Sequence, residues 1–552
     1  MSEQDVSMEI EQDEPLTEEL SNEIMNKAND IMDDAIDKAG QLLSTKPHIA
    51  EIILKQLLRC DPEHLSGLQL MGLCKHRMGE NAEAVEIIQT VIELDPSNSD
   101  NYNNLGLAYG GLGEYDRAIE VMKKAIELNP DQFLFKNNLA LQYRSVGNYE
   151  MAVRTLKEGL VQKEQQQLWL NLGGIYGEMR DIEEAKKCFE NALKIDPEYP
   201  AAHVDMAFTH YLLGDWKNGF KEHEWRFWYY PQMQFYQKAY DPEKWWTGQP
   251  FAKGSRFLIY GEQGMGDTIQ FVRYVKYLKA MGAHVTIHCS PNLDSLVKRI
   301  EGVDATNNRD IVNDTGDPFP EYDYQFSLMS FPHLLQKMPD EIGGKPYIAP
   351  ITDKFQEYMK KEYGETFNIG IVWAGSASHP HDKKRSIPLK HFKPVQEIPG
   401  VKLFNLQLEL RARQYGVSYR SSATQKINFD DPLNEKFHAG KEIVDYCEGC
   451  DDIKLTDLTS MIQNFEDTAA ILAGLDMVIT CDTAVAHLAG AMGVKTWIAL
   501  PYNPDWRWLI QGDTTVWYDS VRLYRQPERD DWTTVFAKIE KDLHEVILQN
   551  KR

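Results

Sequence analysis

The sequence predicts an N-terminal array of paired α-helices followed by an α/β domain built of two lobes. Two observations predict this fold class. In the first half of the chain, a pattern of small and apolar residues returns every 33 or 34 positions, which is the spacing of a repeated helix pair. In the second half, short β-branched or aromatic runs alternate with glycine-containing loops and amphipathic segments, which indicates βαβ units.

The length and composition suit two or three well-packed domains. The chain has 552 residues, of which 42% are hydrophobic, and its formal charge is −25. Residues 1–40 hold 13 acidic side chains against Lys27 and Lys38, so they contribute −11 of this charge. Like charges with few aromatics stay solvated, so we expect residues 1–23 to be a disordered acidic tail. The acidic balance argues against a nucleic-acid partner, because binding phosphates needs clustered Lys and Arg.

Neither a membrane span nor a secretion signal is predicted. No apolar run approaches the ~18 residues that a membrane span needs. The N-terminal residues are acidic and polar, unlike a signal peptide: MSEQDVSMEIEQDE. We therefore expect a cytoplasmic protein without a transmembrane segment.

Seven scattered cysteines do not indicate a disulfide framework. Cys447 and Cys450 form a C-x-x-C motif, which in principle ligates zinc or cycles as a dithiol. No second Cys or His pair follows at ligand spacing, so we prefer two loop cysteines, with no metal. Their role stays open.

Five pairs of an apolar and a small residue define the repeat of the first half. They are Met71-Gly72, Leu105-Gly106, Leu139-Ala140, Leu172-Gly173 and Met206-Ala207. This period resembles the tetratricopeptide repeat. We count five units over about 62–232, preceded by a degenerate helix pair over about 24–61. Gly106 and Ala118 are expected to let paired helices approach closely.

Asparagine precedes the apolar-small pair in three successive units, as Asn104, Asn138 and Asn171. Arrays of this kind bind extended peptides on the concave face lined by the first helix of each pair. Each carboxamide can donate to and accept from a peptide backbone, so a ladder of three would suit a peptide or protein acceptor. The alternative is that asparagine is simply common at this position in such repeats.

An aromatic segment follows the last repeat, and it includes Trp216, Trp225, Phe227, Trp228 and Trp246. We expect residues of about 215–250 to pack the repeats against the next domain. That domain is expected to have an N-terminal lobe over 233–365 and a C-terminal lobe over 366–552, each Rossmann-like.

The first lobe is expected to open with a strand, a glycine loop and a helix. The strand RFLIY is followed by a loop with Gly261, Gly264 and Gly266, whose backbone can approach a ligand closely at a helix N-terminus. Asp267 ends this loop. Its carboxylate would either take part in chemistry or only cap the helix. The helix dipole is expected to lower its pKa.

The second lobe offers a basic cluster and a second motif. The strand at NIGIVWAGS, residues 368–376, precedes His379, His381, Lys383, Lys384 and Arg385, a cluster that suits a diphosphate or is a solvated loop. The later segment CDTAVAHLAGAMG places Asp482 and Thr483 at a strand end and His487 one turn into a helix. His487 taken alone would be read as a core histidine.

The G-x-G-D-T and D-T-A-x-x-H-L-A-G-A-M-G motifs together resemble those of heptosyltransferase-like glycosyltransferases, which are family 9-like and of the two-lobed GT-B type. PYNPDWRW at 501–508 resembles a bacterial subgroup with tetratricopeptide repeats in front. The combination of domains is also similar to that of the O-linked N-acetylglucosamine transferases.

The resemblance implies transfer of a sugar from a nucleotide-sugar donor to a hydroxyl acceptor. A protein or a glycan held by the repeats would suit as that acceptor. Asp267 matches the general base. Gly264, Gly266, Asp482, Thr483 and His487 match donor-binding positions, and Lys384 and Arg385 fall where the diphosphate is expected.

No cofactor beyond the donor is expected. Inverting transfer needs a base and a positive environment for the leaving diphosphate. The pairs Asp430-Asp431, Asp451-Asp452 and Asp530-Asp531 suit surface turns better than a metal site, so we expect metal-independent transfer. The alternative function is a non-catalytic interaction scaffold whose second half kept only the fold.

Overall fold

The structure is a computed structural model that describes residues 18–233, 236, 239–310, 315–349, 353–375, 382–407, 442–443 and 453–550. The chain divides into two compact units. The first is Met1–Met179 with Lys194–Pro197, and the second is Arg180–Leu193 with Glu198–Arg552.

Paired helices account for the described part of the chain up to residue 223, as the repeat period predicts. In chain order the pairs are α1 (Glu18–Leu42) and α2 (Pro47–Cys60), α3 (Leu65–Arg77) and α4 (Asn81–Leu94), α5 (Ser99–Leu112) and α6 (Tyr115–Leu128), α7 (Phe133–Ser145) and α8 (Tyr149–Gln162), α9 (Gln166–Glu178) and α10 (Ile182–Ile195), and α11 (Pro200–Leu212) and α12 (Trp216–His223).

Small residues at the repeated positions allow the two helices of a pair to touch. A Cβ added to Gly106 on α5 would lie 2.5 Å from Cγ of Met122 on α6 and 3.2 Å from the carbonyl oxygen of Ala118. Gly72 on α3 meets Ile88 on α4 in the same way, at 2.6 Å. Glycine at this position therefore has a packing reason, as the sequence predicts.

The last helix pair packs on the α/β lobes within the second unit. The rings of Tyr211 and Trp506 stack with centroids 4.2 Å apart, and Trp216 meets Trp517 edge-on at 5.7 Å. Trp246 is buried as well. The predicted contact segment is not buried throughout, because Trp228 is 67% exposed.

Four parallel strands form the sheet of the first lobe, in the order β3-β2-β1-β4. The strands are β1 (Arg256–Tyr260), β2 (His284–His288), β3 (Ala305–Asn307) and β4 (Tyr324–Ser327). The helices of this lobe and its flanks are α13 (Arg226–Tyr229), α14 (Met265–Phe271), α15 (Val275–Ala280), α16 (Asp294–Val297), α17 (Phe331–Leu335) and α18 (Pro339–Ile342).

Within the described ranges of the second lobe, seven strands form a sheet in the order β11-β10-β9-β5-β6-β8-β7. They are β5 (Phe367–Val372), β6 (Val401–Asn405), β7 (Glu442–Ile443), β8 (Leu455–Asp457), β9 (Met477–Thr480), β10 (Thr496–Leu500) and β11 (Val521–Arg525). Of the strands that the structure describes in this sheet, only β7 pairs antiparallel. The helices are α19 (Asp353–Tyr363), α20 (Asp382–Arg385), α21 (Lys393–Gln396), α22 (Phe465–Ala473), α23 (Ala484–Met492) and α24 (Trp532–Asn550).

Both lobes thus have the doubly wound arrangement that the βαβ pattern predicts. The residues of β1, β5, β9 and β10 are almost all buried, as expected for parallel strands covered by helices on both faces. Among the described residues, no helix combines the length and the apolar character that crossing a bilayer requires.

Candidate functional site

The strand order defines where each lobe can hold a ligand. In the first sheet the chain continues from β1 to β2 on one side, and β4 lies on the other side of β1. In the second sheet β5 has the same position between β6 and β9. Ligands of open α/β sheets bind outside the carboxyl ends of the strands at such switch points.

Segments that follow the carboxyl ends of strands from both lobes meet directly. Gly266 near the start of α14 lies against α23, where an added Cβ would be 2.8 Å from Cδ2 of His487 and 3.4 Å from Cα of Ala484. We call the region around this contact the interlobe crevice, and we define it by Asp267, Asp482, His487 and Arg507.

Asp267 is held from two sides. Its Oδ2 accepts from the backbone N–H of Gly264 at 2.8 Å, which caps the start of α14. Its Oδ1 accepts from Nη2 of Arg507 in the other lobe. The helix-cap role that the sequence left open is therefore present, and it coexists with an ion pair that joins the lobes.

The predicted direction of the Asp267 pKa is wrong. Burial raises the pKa of this carboxyl, although the charge of Arg507 and the Gly264 N–H act to lower it. The helix terminus alone predicts a lower pKa, whereas removing the carboxylate from water outweighs it.

Arg507 is the residue that the sequence analysis missed. Its Nε donates to Oε1 of Gln270 at 2.7 Å and its Nη1 donates to Oδ1 of Asp505 at 2.9 Å, while Nη2 binds Asp267. Burial acts to lower the pKa of Arg507, but Asp505 and Asp267 raise it overall. A signal existed, because Arg507 belongs to PYNPDWRW, one of the motifs that carry the family resemblance.

Asp482 and His487 lie together at the end of β9. His487 Nε2 is 4.0 Å from Oδ1 of Asp482, its Nδ1 is 2.9 Å from the hydroxyl of Tyr518, and its ring stacks on Trp508 with centroids 5.4 Å apart. Burial lowers the pKa of His487 well below its usual value, so the imidazole is neutral at pH 7.

The pKa of Asp482 lies close to neutral pH. Its pKa is raised to about 6, because burial and then the charge of Asp505 raise it by more than Arg507, Arg385 and the indole of Trp508 lower it. A carboxyl with such a pKa changes protonation near physiological pH, which is common at functional sites.

Helix α23 begins directly after Asp482, with Thr483 as its N-cap residue. Thr483 makes no side-chain cap; its Oγ1 is 3.3 Å from that of Thr480. A first turn of this kind directs backbone N–H groups towards whatever occupies the crevice.

Arg385 joins the loops that follow β5 and β9. Its Nη1 donates to the carbonyl of Asp482 at 3.0 Å and its Nε to Asp382 at 3.2 Å. Its guanidinium lies where a Cβ of Gly375 would be, so a larger residue at position 375 would displace it. Lys384 is exposed and makes no ion pair with the residues that the structure describes.

The structure thus brings Gly264, Gly266, Asp267, Arg385, Asp482, Thr483 and His487 together, and it leaves Lys384 at the surface. His379, His381, Cys447 and Cys450 lie outside the described residues, as do Asp430-Asp431 and Asp451-Asp452. Within the described ranges, no three His, Cys, Asp or Glu side chains are grouped as a metal site would require.

A second candidate site lies in the repeats of the first unit. A cavity of about 410 Å³ opens between the first helices of three successive pairs. Its lining comprises Leu73, His76 and Arg77 from α3, Asp100, Asn103 and Leu107 from α5, and Gln132, Leu134, Phe135 and Asn138 at α7. We call it the repeat groove.

The three predicted asparagines belong to a longer row of side-chain amides, here called the carboxamide chain. Each member donates to the next across three repeats: Gln167 to Asn171 (3.3 Å), Asn171 to Asn137 (2.6 Å), Asn137 to Asn138 (3.3 Å), Asn138 to Asn103 (3.0 Å) and Asn103 to Asn104 (3.4 Å). Of the three, Asn138 lines the repeat groove. The sequence missed Asn103 and Asn137, although the Asn-Asn dipeptides at 103–104 and 137–138 mark them.

Comparison with known proteins identifies the helix pairs. Residues 65–98, 99–132 and 167–199 each match the tetratricopeptide repeat family. The three segments coincide with α3–α4, α5–α6 and α9–α10, so these helix pairs are tetratricopeptide repeats, as predicted.

One curated relative extends well beyond the repeats. The chain is 23% identical over 428 residues to Protein FlbA of Caulobacter vibrioides. The alignment covers 68% of this chain and 66%, just under two thirds, of that protein.

Two solved structures are similar to smaller parts of the chain. A tetratricopeptide protein of Thermus thermophilus is 21% identical and covers 32% of this chain and 98% of its own, with a TM-score of 0.31. The pilF protein of Pseudomonas aeruginosa is 16% identical and covers 38% and 99%, with a TM-score of 0.32.

Proposed function

We propose that this protein is a glycosyltransferase that moves a sugar from a nucleotide-sugar donor to a hydroxyl acceptor. The observation that carries the proposal is the interlobe crevice, where two carboxylates, a neutral histidine and two arginines meet at the carboxyl ends of parallel strands. Such convergence of titratable groups with shifted pKa values at a switch point is expected of a catalytic site rather than of a folding core.

The second lobe supplies groups for the donor. The first turn of α23 offers N–H groups to a phosphate, and Arg385 adds a cation at the same strand ends. Together they would stabilise the negative charge that develops on the leaving diphosphate, the role that a metal ion has in other transferases. Asp482 and His487 would bind hydroxyl groups of the donor.

Asp267 would act as the general base that takes the proton of the acceptor hydroxyl, with inversion at the sugar carbon. Arg507 and the N–H of Gly264 fix its two oxygens, so the carboxylate is oriented before the acceptor arrives. Its raised pKa makes it a stronger base than an exposed aspartate, and positioned bases contribute about 10²–10⁴-fold to rate.

The test is a screen of nucleotide sugars for thermal stabilisation, followed by donor hydrolysis and transfer assays. Asp267→Asn should bind the stabilising donor with little change and turn it over about 10²–10⁴-fold more slowly. Asp467→Asn is the matched control, because Asp467 is also a partly buried N3 carboxylate that accepts from the backbone N–H of its N-cap residue and has a raised pKa, and it lies on α22. Wild-type turnover by Asp267→Asn would reduce Asp267 to a helix cap.

We further propose that the repeats hold a protein or peptide partner, which would be the acceptor or carry it. Asn104, Asn138 and Asn171 would contact its backbone, and the repeat groove would take one of its side chains. A triple alanine variant that still folds should lose binding and modification of the acceptor. If no nucleotide sugar binds while a partner does, the second function, a non-catalytic scaffold, is the correct one.

A further inference from the structure

Arg180 has a backbone conformation that the other repeats reserve for glycine. The turn between the helices of a pair carries Gly79, Gly113, Gly147 and Gly214, with φ between 76° and 81°. At the same place between α9 and α10 the residue is Arg180, with φ 64°. The left-handed conformation is unfavourable for any residue with a side chain.

This cost points to a use for the arginine side chain. A Cβ at any of the four glycines would meet nothing within 4 Å, so glycine is there for its conformation and not for space. Arginine is sterically accepted at Arg180, but only with strain. Strain of this kind is typically retained where the side chain has a function.

The guanidinium of Arg180 lies over an aromatic ring, and two of its nitrogens have no hydrogen-bond acceptor. Its Cζ lies 4.0 Å from the ring centroid of Tyr502, which follows β10. Its Nε and Nη2 are shielded from solvent and have no hydrogen-bond partner. These two nitrogens share one edge of the guanidinium, the edge that binds carboxylate or phosphate through two parallel hydrogen bonds. Leaving them unpaired is costly.

A second donor at the same place also lacks an acceptor. Gln526 is 3% exposed, and its Oε1 accepts from the backbone N–H of Tyr502 at 2.9 Å. That bond fixes the amide next to the ring, yet its Nε2 has no partner.

Positive charge accumulates around Tyr502. Arg525 donates to main-chain carbonyls, including Leu509 at 2.9 Å and Gly512 at 2.7 Å, rather than to a carboxylate. Burial and the nearby charge of Arg180 together lower the pKa of Arg525 to about 10. The exposed Arg529 lies 5.9 Å from the same ring.

We infer that Arg180, Tyr502 and Gln526 form a binding site for an oxyanion, either a phosphate or a carboxylate group. The Nε–Nη2 edge of Arg180 would bind two of its oxygens, Gln526 would donate a third hydrogen bond, and Arg525 and Arg529 would supply the surrounding positive potential. The site shares no residue with the interlobe crevice and does not depend on the proposed transfer reaction.

The experiment measures binding of inorganic phosphate and, separately, of acetate to the purified full chain. Isothermal titration calorimetry and thermal unfolding are run at constant ionic strength, with wild type, Arg180→Gly, Arg180→Lys and Arg117→Ala. Arg180→Gly restores the residue of the other repeats, so it should fold without loss of Tm. Arg117 is the matched control, because it stacks over Tyr109 at 4.1 Å but already pairs with Glu114.

Wild type and Arg117→Ala should bind one of the two anions saturably. Arg180→Gly should weaken this binding at least tenfold, and Arg180→Lys should weaken it because an ammonium has no bidentate edge. Binding of phosphate indicates a phosphate ligand, and binding of acetate alone indicates a carboxylate. If wild type binds neither anion, or if Arg180→Gly binds as wild type does, the inference is overturned.

Discussion

Gly266 and His487 touch across the two lobes, with room for a hydrogen atom on Gly266 but not for a methyl group. An added Cβ would be 2.8 Å from Cδ2 of His487, and the imidazole is fixed from behind by Tyr518 and Trp508. The glycine that the sequence assigns to a ligand-binding loop therefore has a packing role between the lobes.

Gly266→Ala should separate α14 from α23 and lower the free energy of unfolding by about 1–3 kcal/mol, as overpacking does in other cores. Transfer activity should fall as well, since the same shift moves Asp267. Thermal unfolding and donor titration measure both effects. Gly174→Ala is the control: a Cβ there meets nothing within 4 Å, and replacing a mid-helix glycine should stabilise the chain slightly. Equal Tm changes for the two variants would contradict the contact.

Asp482→Asn should change how stability depends on pH. The pKa of Asp482 is raised to about 6 in the folded chain, above the ordinary aspartate value of about 3.9. Between about pH 4 and 6 the folded chain binds a proton here that the unfolded chain has released. The contribution of Asp482 to the free energy of unfolding therefore falls as pH rises through this window.

At pH 7 the Asn variant should be more stable than wild type, by about 1–3 kcal/mol, and at pH 4 the difference should be close to zero. Denaturant unfolding at several pH values measures it. Donor affinity should decrease in the same variant. A constant difference between pH 4 and 7 would show that Asp482 titrates normally.

The sequence predicted the elements whose signals are local. RFLIY coincides with β1, and NIGIV and MVIT lie in β5 and β9, because each is a short apolar run bounded by turn or loop residues. The repeat period gave the helix pairs for the same reason.

Contacts between distant segments were not predictable in this way. Asp267 and Arg507 are 240 positions apart, and the packing of the two lobes against each other brings them together. Without that contact, the burial that raises the pKa of Asp267 is invisible, and the helix terminus alone suggests the opposite direction. The asparagine position was found, but the neighbouring Asn103 and Asn137 that link it were not, because their role depends on the stacking of successive pairs.

The carboxamide chain predicts that alanine substitutions of its members lower the free energy of unfolding by unequal amounts. Asn138→Ala removes a bond on each side and leaves Asn103 Oδ1 and Asn137 Nδ2 unpaired, although both residues are buried. Its cost should be about 2–4 kcal/mol, whereas Asn104→Ala, at the end of the chain, should cost about 1 kcal/mol or less. Hydrogen exchange of α5 and α7, followed by mass spectrometry, should show faster exchange in Asn138→Ala. Similar exchange in both variants would mean that the amides act independently.

Arg226 should be the most sensitive charged residue of the first lobe. It is fully buried, and its guanidinium donates to both oxygens of Glu262, to Glu224, to Ser330 and to the carbonyl of His223. Burial acts to lower the pKa of Arg226, but Glu262 and Glu224 raise it overall. The arginine is therefore charged at any physiological pH.

Arg226→Met would leave Glu262 buried without its cation, and breaking a buried pair from one side costs about 3–5 kcal/mol. Glu262→Gln should cost less, because Arg226 keeps Glu224 as a counterion. Since Glu262 follows β1 in the glycine loop, the Met variant should also disturb the position of Asp267 and reduce transfer beyond its effect on stability. Arg256→Met is the control: Arg256 begins β1 and binds Glu321 and Asp323, but its side chain is 43% exposed, so this variant should lose much less stability than Arg226→Met. Unfolding of the three variants in urea gives the comparison, and equal losses for Arg226→Met and Arg256→Met would contradict the role assigned to burial.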